Sequence, residues 1–292
     1  MSPGWAYARS VLSAIVLLAL GFVVLLTVGS GFQGARDQRV LYNEFREQLA
    51  NAIAPVGPLT FEGEVLEAGS PVAVLAIPDI DAELVVVEGT ASAQTMSGPG
   101  HRRDTVLPGQ AGVSIVMGRQ SAYSGPFGRI SDLAPGSMIT TTTGQGVATY
   151  RVDRVRRAGD LQPAPLVSSG GRLTLVSATG TPFLAEEVIR VDATLVATSE
   201  DGSTTTTKPF TATSRLVSPA ALPLAERPMS GDSAQVFALV LWAQAFLLVV
   251  LVFTWCRERW GRWQAWTVGL PVLLATGWAV SNQIAALLPN LL

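Results

Sequence analysis

Gly171-Arg172-Leu173-Thr174-Leu175-Val176-Ser177-Ala178-Thr179-Gly180 decides how this chain is read. Its middle alternates, with Leu173, Leu175 and Ser177 on one face and Thr174, Val176 and Ala178 on the other. Glycine stands at both ends. The pattern predicts a strand that ends at something. Many enzymes carry a nucleophile where such a strand ends, and here that position holds Ala178.

Outward from it, short strands are predicted over 72–77, 82–87, 113–117, 137–142, 147–156, 172–178 and 187–196. Turn signals separate them: Gly98-Pro99-Gly100, Pro108-Gly109, Gly125-Pro126, Pro135-Gly136, Gly144-Gln145-Gly146, Gly170-Gly171 and Gly180. Many short strands with little helix between them imply a closed barrel or sandwich. Residues 70–198 are enough for one core. Before it, Leu41, Phe45, Leu49 and Ile53 recur every fourth residue, which predicts an amphipathic helix over 38–53 that packs on the domain as a stalk within 31–69. After it, 199–232 is rich in Ser, Thr, Pro and Ala, including Thr204-Thr205-Thr206-Thr207, and reads as a linker.

The composition points to a membrane. Of 292 residues 48% are hydrophobic and only 14% charged, against about 25% charged in soluble domains. No charge occurs between Arg9 and Arg36, and Val11 to Val28 is almost wholly apolar, close to the ~20 residues a spanning helix needs. A cleaved signal peptide competes with this reading, but its apolar core is ~7–15 residues. Two further spans are predicted, Ala234 to Trp255 and Trp266 to about Leu288, with Pro271 near the start of the last. The loop 256–264 between them holds three arginines flanked by Trp255, Trp260, Trp263 and Trp266, a positive-inside loop with an aromatic belt. The plan is therefore a cytoplasmic N-terminus (1–9), a first span (10–30), an extracytoplasmic domain, a second span (233–255), the cytoplasmic loop and a third span (265–288). All seven tryptophans lie outside the extracytoplasmic stretch.

Several chemistries are excluded early. A net charge of −2 gives no basic field for nucleic acid. One cysteine, Cys256, makes no internal disulfide, and one histidine, His101, leaves too few ligands for a zinc site. No cofactor is implied. Cys256 falls at the inner end of the second span, on the wrong side of the membrane to act in the domain.

The order of the pieces over about 70–198 resembles the sortase family, of the class D and E type. Val72-Ala73-Val74-Leu75-Ala76-Ile77-Pro78 with Ile80-Asp81-Ala82 is similar to its opening strand. Gly98-Pro99-Gly100-His101 and Leu107-Pro108-Gly109-Gln110-Ala111-Gly112 are similar to the segment before its catalytic histidine. Gly125-Pro126-Phe127 and Leu133-Ala134-Pro135-Gly136 are similar to the turn that follows, Thr149-Tyr150-Arg151-Val152 to the later hairpin, and Leu173-Thr174-Leu175-Val176-Ser177 to the strand leading to the nucleophile. The resemblance implies a mainly β, sortase-like closed β-barrel, extracytoplasmic, with three transmembrane α-helices.

It also implies what is missing. Sortases cleave a sorting signal with a cysteine thiolate, helped by a histidine and an arginine. Gly118-Arg119-Gln120 puts Arg119 in the histidine position, and Thr174-Leu175-Val176-Ser177-Ala178 puts Ala178 in the cysteine position. Arg190 matches the arginine of the last strand. Alanine cannot attack, and arginine stays protonated. Ser177 and Thr179 flank the vacant position but point away from the face of Ala178, and His101 reads as a turn residue bonded locally. Arg119 and Arg190 are candidates for holding an anion or peptide; salt bridges to Glu186, Glu187 or Asp104 are the competing reading. The expected protein is a catalytically inactive, multi-pass plasma-membrane protein of a bacterium that binds a peptide or other envelope or membrane proteins as a scaffold. The alternative is an active transpeptidase or hydrolase with a non-standard nucleophile.

Overall fold

The structure, a computed structural model, describes residues 3–60, 64–166, 170–198, 204–205, 208–212, 218, 222–259 and 262–292. The chain divides into two compact units, Met1–Ser30 with Asp232–Leu288, and Gly31–Gly231 with Pro289–Leu292.

The first unit is helical. It contains α1 (Pro3–Val24), α4 (Val236–Arg259) and α5 (Arg262–Leu287). All three belong to helices long and apolar enough to cross a membrane. Their large apolar side chains, such as Leu17, Leu248 and Leu274, are exposed, as lipid-facing residues would be. α4 packs on α5, with Phe253 edge-on to Trp266 at 5.1 Å between ring centres. Gly269 makes that approach possible: a Cβ there would lie 2.2 Å from the Phe253 ring. α5 starts at Arg262 rather than Trp266, so Pro271 lies inside the helix and not near its start. Trp260 and Gly261 of the arginine loop lie outside the described residues.

The second unit is a barrel. Strands β1 (Pro71–Ile77), β2 (Ala82–Glu88), β3 (Gly100–His101), β4 (Gly112–Met117), β5 (Met138–Thr143), β6 (Gly146–Arg156), β7 (Gly171–Thr181) and β8 (Leu184–Thr198) hydrogen-bond in the order β6-β5-β1-β2-β3-β4-β7-β8. Pairing of β6 with β8 closes the ring, and closure removes the exposed edges. β2–β3 and β4–β7 are parallel; the other barrel pairs are antiparallel. β9 (Thr204–Thr205) adds to β8 outside the ring. Val72, Leu75, Ile77, Ile139, Tyr150, Leu173, Leu175, Ile189 and Val191 fill the interior. Tyr150 satisfies its buried hydroxyl by accepting the Gly109 N–H at 2.5 Å.

Three expectations needed correction. Gly98-Pro99-Gly100, read as a turn, feeds directly into β3, which pairs with β2 and β4; a strand of two residues has no period to detect. The helix expected over 38–53 is α2 (Ser30–Ala50), and Ile53 lies beyond it, 58% exposed. α2 does pack on the barrel: Leu41 meets Val85 and Val87, and the Gln38 carboxamide accepts from Val85 N–H (2.7 Å) and donates to Ser97 O (2.8 Å). The stretch 199–232, read as a linker, is docked along part of its length. Phe210 donates its N–H to Gly109 O and accepts from Ala111 N–H. Glu226 is buried and faces Arg103 at 3.4 Å. Thr206 and Thr207 lie outside the described residues.

Candidate functional site: a cleft filled by residues 289–292

The quoted strand is β7, and its two faces separate as the alternation requires. Leu173 and Leu175 enter the barrel core. Val176 and Ala178 face outward and cluster with Met117 of β4, Met229 and Leu291. β8 lies alongside, with Val176 opposite Arg190 and Ala178 opposite Val188. Directly opposed residues share a face, so Arg190 stands on the Ala178 face, one pair along the ladder. Arg190 is half-buried, and its side chain forms no hydrogen bond or ion pair among the described residues. Burial, then repulsion from Arg156, lowers its pKa, with Asp192 opposing.

Arg119 lies just past the end of β4. Gly118 precedes it because a Cβ there would sit 2.5 Å from the Phe127 ring, while Phe127 N–H donates to Arg119 O at 3.0 Å. The Arg119 side chain is 0% exposed. Its Nη2 donates to the hydroxyl (2.7 Å) and main-chain oxygen (3.0 Å) of Ser92, in the short helix α3 (Ser92–Thr95). Nη1 reaches Pro289 O (3.5 Å) and Leu292 O (3.4 Å). The guanidinium also lies 5.2 Å from the centre of the Tyr123 ring, a cation–π contact. Burial lowers its pKa to about 10, so it stays a cation at neutral pH. None of the three salt bridges weighed from the sequence is present among the described residues; Asp104 pairs with Arg102 and Glu187 with Arg157.

The cleft outside Ala178 is occupied by residues 289–292, which follow α5 in sequence and belong to the barrel unit. Leu291 is 0% exposed and packs on Ala178, itself 4% exposed. Gln120 N–H donates to Leu291 O at 2.9 Å, and Asn290 N–H to Ser230 O at 3.0 Å. The Asn290 carboxamide donates to Thr90 O (2.7 Å), Arg227 O (3.0 Å) and Ala225 O (3.5 Å). Ser92, Gln120, Met229, Asn290 and Leu291 were not found from the sequence. The one available signal was Pro289-Asn290, a helix stop with a lone amide in an apolar tail.

Of the residues weighed as stand-ins, Ser177 and His101 are engaged elsewhere. Ser177 is buried and donates to Gly118 O at 2.9 Å. Thr179 pairs with Glu187 on β8. His101 lies on β3, not in a turn, and is buried. Its Nδ1 is 2.8 Å from Glu88 Oε2 and its Nε2 is 2.9 Å from Val106 O. Nε2 also lies 3.2 Å from the Thr105 hydroxyl; the Glu88 carboxylate and the Val106 carbonyl are acceptors and favour protons on both ring nitrogens. Burial alone would lower the His101 pKa, but the Glu88 charge and hydrogen bond, the Val106 carbonyl and Asp104 together raise it. A raised folded-state pKa stabilises the fold fully below the ordinary histidine value of about 6.5, and that contribution disappears as pH rises through the raised value. Thermal unfolding of the full chain at pH 6 and pH 9 should therefore show a larger fall than in Glu88→Gln. Equal falls would remove His101 as the titrating group.

No group of three or more His, Cys, Asp or Glu that could hold a metal occurs among the described residues.

Comparison with known proteins fits this geometry. The family model of the Sortase domain matches residues 75–196. Sortase D of Bacillus subtilis (strain 168) is 30% identical over 90 residues, 31% of this chain and 44% of that protein. The chain thus spans less than half the length of this curated relative. Among solved structures, the Clostridium perfringens Sortase D5 transpeptidase is similar at 19% identity and TM-score 0.46, over 56% of this chain and 99% of that one. Sortase E1 of Streptomyces coelicolor is similar at 25% identity and TM-score 0.38, over 45% and 92%. The barrel unit thus carries a stretch, residues 75–196, that matches the sortase domain.

Proposed function

We propose that this is a multi-pass plasma-membrane protein of a bacterium whose extracytoplasmic sortase domain binds without cutting. Its cleft holds a peptide or a segment of another envelope or membrane protein, and the protein serves as a scaffold. One observation carries the reading: the position that should hold a thiol is Ala178, pressed under Leu291 with no free base beside it. Arg119 keeps a cation in the cleft, and its buried Nε has no partner among the described residues. Arg190 adds a second cation on the Ala178 face. A carboxylate or a row of peptide carbonyls suits both.

The positive-inside loop and the apolar helices α1, α4 and α5 support the membrane topology. Full-length protein in detergent should give neither cleaved product nor acyl-enzyme with sorting-signal peptides. Turnover that Ser177→Ala or Thr179→Ala abolishes would sink the reading. On the binding side, Arg119→Met and Arg190→Glu should each weaken co-purification of the partner about tenfold or more, since hydrogen bonds to charged groups contribute roughly 1.5–3 kcal/mol. Undiminished co-purification in both would reduce the barrel to a spacer.

A further inference from the structure

We infer that residues 289–292 are a tethered peptide ligand, and that the cleft rests closed by its own chain until a peptide in trans displaces them. This rests on the peptide-binding reading and names the site's first occupant.

The contacts have the character of peptide recognition rather than of core packing. Three of the four main-chain oxygens, those of Pro289, Leu291 and Leu292, accept from Arg119 or Gln120. One carboxamide, that of Asn290, is read by carbonyls of Thr90, Ala225 and Arg227. One aliphatic side chain, Leu291, fills an apolar pocket floored by Ala178, Val176 and Met117. Main-chain bonds with one or two side-chain pockets are how grooves hold peptides. The ligand class is then a peptide that presents a carboxamide followed by an aliphatic residue.

The same cleft is left incompletely satisfied. The two Arg119 Nη1 bonds are at the long limit, 3.5 and 3.4 Å. Arg119 Nε and Asn290 Oδ1 are buried without a partner among the described residues. Buried polar atoms are seldom left so, and a peptide that supplied an acceptor to Nε would hold better than 289–292 do. A tether counteracts that advantage, because a short link gives an effective concentration in the mM range. Weak peptides are excluded and a well-matched one enters.

The test places a thiol at the floor of the pocket. In full-length protein carrying Cys256→Ser and Ala178→Cys, a maleimide should react slowly. Adding Leu291→Ala should raise that rate roughly tenfold or more, as expected when a covering segment opens locally. The free peptide Leu-Pro-Asn-Leu-Leu should then slow it again. Should Leu291→Ala fail to fold, Asn290→Ala keeps the aliphatic side chain, removes the carboxamide bonds and carries the same expectation. An unchanged rate in the folded variant overturns the proposal, as does failure of the free peptide to protect. Protection by Leu-Pro-Asn-Leu-Leu while Arg119→Met and Arg190→Glu leave partner co-purification intact would keep the tethered ligand and discard the partner reading.

Discussion

Ala178→Cys combined with Arg119→His, in a chain whose cleft is opened by Leu291→Ala, should form a thioester with a sorting-signal peptide. Ala178→Cys with Leu291→Ala alone should release roughly 10²- to 10⁴-fold less product, the range that acid–base help supplies. Cysteine at position 178 supplies the nucleophile, so attack on the peptide carbonyl is not the missing step. The departing amine needs a proton, and arginine does not give one up: even lowered to about 10 by burial, its pKa keeps the proton at neutral pH. Histidine at 119 would supply it. Mass spectrometry of the acyl-enzyme together with chromatography of the released fragment separates attack from departure. Equal product from the two variants would show that position 119 is not the acid–base position.

Positions 119 and 178 both meet residues 289–292. Ala178 lies within β7, which continues to Thr181 and does not end at it. Arg119 turns toward Ser92 and the carbonyls of 289–292. The space of a thiol becomes part of an apolar floor under Leu291.

What could be read in advance follows from range. Seven of the eight barrel strands carry a period of two or a continuous apolar run, and these show in a window of a few residues. β3 does not, because Gly100 and His101 make too short a strand to alternate. The face of Ala178 was legible for the same local reason, since alternation fixes it relative to Leu175. What covers that face was not. Asn290 bonds Thr90, 200 positions earlier, and Phe210 bonds Gly109 across a stretch whose composition reads as linker. Burial of Glu226 beside Arg103 is equally hidden, because a single acid in a Pro- and Ala-rich stretch carries no periodic signal. The family resemblance puts Arg119 in the histidine position; that its partners would be carbonyls instead of Glu186, Glu187 or Asp104 depends on a segment with no local link to it.

Asp192→Ala should cost the barrel about 3–5 kcal/mol, the range for breaking a buried ion pair by removing one member. Asp192 lies on β8 and is buried. It accepts from Arg156 of β6 through Nε and Nη2, and from the Thr174 hydroxyl of β7 at 2.9 Å. One carboxylate therefore ties together the three strands at which the barrel closes. Its loss strands a guanidinium in a nearly dry site and frees the Thr174 hydroxyl at once. Arg156→Ala should do comparable damage by the reverse route, leaving the carboxylate unpaired. Replacing both, with Arg156→Met and Asp192→Leu, should come close to the parent, since apolar packing can stand in for a buried pair. Differential scanning of the full chain decides it: each single change should lower the barrel transition by about 6–20 °C, at roughly 2–4 °C per kcal/mol for a unit of this size, and the double change by much less. If the double change falls as far as the singles, the pair contributes specificity of strand closure that apolar packing does not replace. In that case the register opposing Val176 to Arg190 and Ala178 to Val188 depends on the same carboxylate, and thiol labelling at position 178 should rise in the double variant even with residues 289–292 intact.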